Sequence, residues 1–133
     1  MSAAKRKRAL QNVLDLHQAG VTLLAGTQLN HGAVGTQGLV LHDELALFVQ
    51  AGLSPFEALK TATVKPAKFM RREKDLGTIE KGRLADFILL DANPLADISN
   101  TRKINAVVVI GRYLSREFLD KMLADVEAAT KKN

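Results

Sequence analysis

Five consecutive β-prone or apolar residues, Val21-Thr22-Leu23-Leu24-Ala25, end abruptly in Gly26-Thr27-Gln28 and a loop carrying Gly32, Gly35 and Gly38. An unbroken apolar run of this length reads as a strand covered on both faces, as in a parallel sheet backed by helices; periodicity alone leaves a buried helical turn open. Before it, Leu10, Val13, Leu14 and His17 recur at helical spacing within Ala9 to Ala19, and Gly20 is placed to stop that helix. Helix, glycine, apolar strand is half of an α/β repeat. In such sheets ligands gather just past the carboxyl ends of strands, which places Thr27, Gln28 and the glycine loop where chemistry is normally found.

Further along, Leu41, Leu45, Phe48 and Val49 mark a second helix face, ended by Gly52, with Asp43 and Glu44 in its early turns. His42 and Asp43, near the helix start, read as capping and solvated residues. Leu53-Ser54-Pro55-Phe56-Glu57 is a helix start: Ser54 can accept from the Glu57 N–H while Glu57 reaches back, Pro55 takes the first helical position, and Leu53 can staple onto Ala58. Pro66 opens another short helical turn through Phe69 and Met70. From Leu76 the period changes to that of strands: Leu76 to Ile79, a turn at Glu80-Lys81-Gly82-Arg83, then Ala85 to Leu90 and Ile104 to Ile110, with Tyr113-Leu114 pairing beyond Gly111. Ser115 caps a last helix whose Phe118, Leu119, Met122, Leu123 and Val126 form one apolar stripe.

At 133 residues, 47% hydrophobic and 25% charged, the chain is one globular unit and too short for a (β/α)8 barrel, which takes roughly 250 residues. The absence of cysteine excludes disulfides, thiolate metal sites and cysteine nucleophiles. A net charge of +5 raises nucleic acid as a partner. Four cations, however, form the single run Lys5 to Arg8, two more are the terminal Lys131 and Lys132, and no aromatic platform is interleaved with them. Neither nucleic acid nor a membrane is expected as partner, the basic run is expected to be solvated helix rather than a targeting signal, and a cytoplasmic protein is the working expectation.

Taken in order, Ala19-Gly20-Val21-Thr22-Leu23-Leu24-Ala25-Gly26-Thr27, Leu41-His42-Asp43-Glu44-Leu45, Ala51 to Leu59, Leu76 to Asp86, Asp91 to Ile98 and Val107 to Arg112 closely resemble the C-terminal part of the amidohydrolase superfamily, nearest its imidazolonepropionase-like and prolidase-like branch. Each piece alone is weak; the ordered set is specific and runs from about Leu10 to Ala128. The resemblance implies an α/β fold: the terminal segment of a (β/α)8 barrel, with Val21 to Ala25 as its eighth strand and flanking helices over 1–75. The strands of a small flanking β-domain would follow over 76–114, and a final helix over 115–133. It also implies that the first part of that β-domain and of the barrel lies outside this chain.

Family members hydrolyse amide-like bonds with one or two divalent metals, zinc being the expected one, held by a His-x-His pair, a carboxylated lysine, further histidines and an aspartate at the end of the eighth strand. His17, His31 and His42 form neither a His-x-His nor an i, i+4 pair, so this chain alone is expected to bind none. Gln28 stands where the resemblance expects the aspartate. A carboxamide is essentially non-basic and carries no charge, so Gln28 is the doubtful catalytic position, with Thr27 and His31 on the loop that would face substrate. His17 is expected to be a packed helix-face residue, and Lys65 replaces a capping asparagine. The resemblance thus implies a hydrolase portion inactive by itself. Its alternatives are a non-catalytic subunit or self-associating module completed by another copy or another chain, and a small basic binding module, which the clustering of the charge argues against.

Overall fold

The computed structural model describes residues 2–26 and 38–131. Ser2 opens α1 (Ala3–Gln18), its hydroxyl accepting from the Lys5 N–H, so that Lys5 to Arg8 are the first two turns of a helix. Leu10, Val13, Leu14 and His17 form its half-buried face, as their spacing predicts. α2 (Leu39–Ala51) buries Leu45, Phe48 and Ala51, and the Gly52 and Leu53 N–H groups close its end on Val49 and Phe48 carbonyls at 3.0 and 3.1 Å. Its start two residues before Leu41 leaves Asp43 and Glu44 beyond the first turn, and Gly38 supplies no side-chain cap.

Ser54 caps α3 (Pro55–Ala62) by accepting from the Glu57 N–H at 3.2 Å. The reciprocal half of the expected capping box is absent: the Glu57 carboxylate instead holds Lys60 at 2.9 Å and Lys65 at 3.7 Å. Charge-assisted pairing with two ammonium groups outcompetes one backbone N–H. α4 (Val64–Phe69) follows at once; its cap position is Thr63, whose hydroxyl donates back to the Leu59 carbonyl at 2.9 Å and caps nothing, while Lys65, expected at the place of a capping asparagine, lies inside the helix.

The core lies between these helices. Leu45, Phe48, Leu53 and Ala58 pack with Ile98, and Leu23 and Ala25 lean on that cluster. Each fully buried Leu or Phe contributes roughly 1.5–3 kcal/mol. Ile98 comes from a 3-10 helix (Ile98–Arg102) that Asp97 caps through Ser99 N–H at 2.8 Å.

The sheet is antiparallel, three strands in order β1 (Phe87–Leu90), β2 (Ile104–Val109), β3 (Arg112–Leu114). Phe87 faces Val108 and Ile88 faces Val107, with an irregularity between Leu89 and Leu90, and the β2–β3 hairpin turns through Ile110 and Gly111. α5 (Arg116–Thr130) starts on Ser115, which accepts from Phe118 N–H at 3.3 Å, and Arg116 anchors it to the Ile104 carbonyl at 3.0 Å.

Two expected strands are corrected. Leu76 to Ile79 is a bent loop, pinned by Arg83, whose guanidinium donates to the Glu73 carbonyl and pairs with Glu80 at 3.2 Å. Val21 to Ala25 belongs to no sheet among the described residues. Leu23 and Ala25 pack on the helical core and Leu24 is half-buried beside them, while Val21 is 46% exposed. β-prone side chains do not make a strand without a neighbour to take the backbone bonds. The fold is α/β with a small antiparallel sheet, and among the described residues no helix is long and apolar enough to cross a membrane.

Candidate functional site

The extended segment Val21 to Gly26 leads to the predicted site. Two bonds fix its carboxyl end: the Ala25 N–H donates to the Thr61 carbonyl at 3.0 Å, and the Gly26 N–H donates to Glu44 Oε2 at 3.0 Å. Thr61 is fully buried, and its hydroxyl is satisfied by the Ala58 carbonyl at 2.6 Å. α2 and α3 thus clamp the segment from one side. Thr27, Gln28 and His31 follow it and lie outside the described residues.

The remaining candidates are structural. His17 is half-buried on α1, near enough to Glu57 to help hold that carboxyl below its ordinary range, after the larger effect of the Lys60 hydrogen bond. His42 and Asp43 do not cap α2, as their place near its start led one to expect. They tie α2 to the 3-10 helix: His42 Nδ1 lies 3.0 Å from the Thr101 hydroxyl, and Asp43 pairs with Arg102. The single Thr101 hydroxyl hydrogen goes to the Ile98 carbonyl at 2.8 Å, so Thr101 accepts from Nδ1–H and the neutral ring keeps Nε2 as its lone pair. Burial pushes the His42 pKa down, Arg102 adds to this, and Asp43 opposes it.

Among the described residues no three His, Asp or Glu side chains come together as metal donors. The described part therefore does not fit a metal by itself, and no catalytic step is assigned to one on this chain. Glu44 has a role that its place in the helix does not predict: its position suggests a helix-dipole carboxylate, whereas its contact to Gly26, eighteen positions away, is a bond that spacing along one helix cannot reveal.

Two open surfaces flank this arrangement. A groove of about 450 Å³ runs between α3–α4 and β1, lined by apolar groups that include Met70, Leu76, Ile79 and Ile88. A smaller one of about 210 Å³ lies between α1 and α2, with Glu44 at its edge. Both are apolar and neither gathers convergent polar groups of the kind that orient a small substrate.

The amidohydrolase family matches residues 2–114. The imidazolonepropionase of Shouchella clausii (strain KSM-K16) is 31% identical over 96 residues, which make up 72% of this chain and 21% of that protein. A Xaa-Pro dipeptidase solved with methionine bound in its active site superposes with a TM-score of 0.70 at 30% identity, over 80% of this chain and 25% of its own. Molinate hydrolase does so with a TM-score of 0.65 at 31% identity, over 78% and 26%. The chain thus spans between a fifth and a quarter of the length of the relatives it matches.

Proposed function

The chain belongs to the amidohydrolase family, hydrolases of carbon–nitrogen bonds that generally use a divalent metal, and on that premise we propose that it is the C-terminal part of such an enzyme, completing a metal-bearing barrel whose other strands lie outside residues 1–133. The observation that carries this reading is the extended segment Val21 to Gly26. One side is packed on helices and bonded to Thr61 and Glu44, and among the described residues no strand lies beside it. Packing on helices from one side, with its backbone bonded to α2 and α3, supports reading this segment as a barrel strand whose sheet neighbours lie elsewhere. In the intact family the metal supplies a water acidified toward neutral pH, and zinc fits that role. The work left to this chain is to present the side chain at position 28 from the end of the clamped segment, with Thr27 and His31 on the loop toward substrate. A glutamine there binds through its oxygen but accepts no proton, so the reading includes an inactive isolated chain.

The test is a chimera in which residues 1–133 replace the aligned quarter of the Xaa-Pro dipeptidase. With Gln28 the chimera is expected to bind metal, by elemental analysis, and to leave dipeptides intact; Gln28→Asp is expected to raise turnover by at least ~100-fold, the scale of a positioned general base. A folded, metal-loaded Gln28→Asp chimera without activity refutes the reading, as does chelator-sensitive dipeptide hydrolysis by the isolated wild-type chain. A second reading, self-association of this chain, is favoured by the exposed apolar stripe of α5.

A further inference from the structure

α5 carries its apolar side chains outward. Phe118 is 41% exposed, Met122 48%, Leu123 64% and Val126 62%, and no residue of the helix is buried. A stripe at helical spacing with nothing over it is half of a helix contact.

The other half is the groove between α1 and α2, lined by Ala9, Leu10, Val13, Leu47 and Phe48 with Arg6 beside it. Its volume of about 210 Å³ falls below the ~300–1,000 Å³ of small-molecule pockets, and it has the size and apolarity to take one or two side chains of a helix. The charges match as well. α1 carries Lys5, Arg6, Lys7 and Arg8 in its first two turns with no acid in the first, and among the described residues none of the four has an ion pair. Four cations therefore sit at the positive end of the helix dipole, where they are disfavoured. α5 carries Asp125 and Glu127 toward its negative end, with no base in the last turn; Glu127 meets Lys131 just beyond at 2.6 Å, and Asp125 has no ion pair among the described residues. Each helix holds charge at the wrong end for itself and the right end for the other.

We propose that α5 of one copy lies in the α1–α2 groove of a second copy, antiparallel to α1, with Asp125 over Lys5 and Arg6 at the edge of the groove, while Arg8 and Glu127 point away from the contact. One register satisfies both kinds of contact. Val126 beside Arg6 puts Met122 beside Leu10 and Phe118 beside Val13 and Leu14, because both helices advance about 6 Å per four residues. Reciprocal docking of both α5 helices gives a closed two-fold dimer, in which residue i meets j and j meets i. This inference rests on the self-association reading and uses no residue of the Thr27–Gln28 loop, so it is independent of hydrolysis.

Light-scattering mass of the full chain tests it. At ~100 μM protein and 0.1 M salt the expected mass is twice the 14.5 kDa of one chain, falling toward one chain at 1 M salt as the Debye length contracts from ~10 to ~3 Å. Met122→Asp, at an exposed position that leaves the fold intact by circular dichroism, is expected to give monomer at 0.1 M salt. Lys5→Glu is expected to do the same, and adding Asp125→Lys to that chain to restore the dimer. A monomer under all conditions refutes the contact and the self-association reading together. An oligomer indifferent to Met122→Asp, or a double reversal that fails to restore it, refutes this contact alone and assigns association to another surface.

Discussion

Gly77 and Gly82 form a matched pair for measuring how tightly the bent loop presses on α4. Their φ angles are +92° and +90°, so alanine is strained to the same degree at either, roughly 1–2 kcal/mol for an L-residue in the left-handed region. The space around them differs. A Cβ on Gly82 meets nothing within 4 Å, whereas one on Gly77 would lie 2.9 Å from Ala67 Cβ, 3.1 Å from Val64 Cα and 3.2 Å from the Thr63 carbonyl. Two of those three atoms are backbone at the start of α4 and cannot swing aside, so Gly77→Ala adds an overpacking cost of about 1–3 kcal/mol. The smaller unfolded-state entropy of alanine offsets part of the loss equally in both. Gly82→Ala is thus expected to cost ~1 kcal/mol and Gly77→Ala ~2–5 kcal/mol. For a chain of this size that separates the two melting temperatures by roughly 5–15 °C, and urea midpoints should separate in the same order at unchanged m. Equal losses at the two positions would mean that loop 76–79 stands clear of α4, and that the groove beside β1 is drawn wrongly.

Two further outcomes follow from the described residues. Ile110 is 79% exposed and sits at φ +51°, next to Gly111 at φ +73°, in a two-residue hairpin turn that suits asparagine better than a β-branched side chain; Ile110→Asn is expected to raise stability by ~1 kcal/mol in urea titration, and no gain would show that the Ile110 side chain is held by a contact. For His42, the folded pKa lies below the ordinary value, so the unfolded chain binds more protons and stability falls as pH drops through about 6.5 toward the folded value. That slope is expected to vanish in His42→Gln. The lowered carboxyls Glu57, Glu80 and Asp97 stabilise the fold above the ordinary carboxylate range and lose that stabilisation only as pH falls through it toward their folded values, below the His42 window.

Helix starts were legible because their chemistry is local. Ser54-Pro55 and Ser115 each act within three residues, and their hydroxyls accept the N–H groups that spacing predicts. The β1–β2 pair was legible because two apolar runs separated by turn residues have few ways to meet. The Leu76 to Ile79 stretch was not: four residues with apolar side chains only at the two ends are as compatible with a loop pinned by Arg83 as with a strand, and the Arg83 bond to the Glu73 carbonyl, ten residues back, is not visible in the local pattern. For the same reason Asp43 and Glu44 were read through their own helix, whereas their partners, Arg102 and Gly26, come from segments far away in the chain. The expectations for Thr27, Gln28 and His31 rest on family resemblance, and the structure adds to them only the clamp at Ala25 and Gly26.

Surface area connects the two proposals. The described residues leave large apolar side chains open to solvent on several faces, more than a compact monomer of this size needs. They fall in three regions: Val21 at the start of the Val21 to Gly26 segment, the β1 region where Ile88 and Leu89 are 43% and 44% exposed although they point to opposite faces, and the α5 stripe. Reciprocal docking of α5 covers the third of these regions and leaves the first two untouched. The sheet and the extended segment still require strands, because only another backbone satisfies an open edge. The two proposals name different residues, Val21 to Gly26 for the one and the α5 stripe for the other, so Met122→Asp is expected to abolish self-association while leaving the bonds of Ala25 and Gly26 to Thr61 and Glu44 in place.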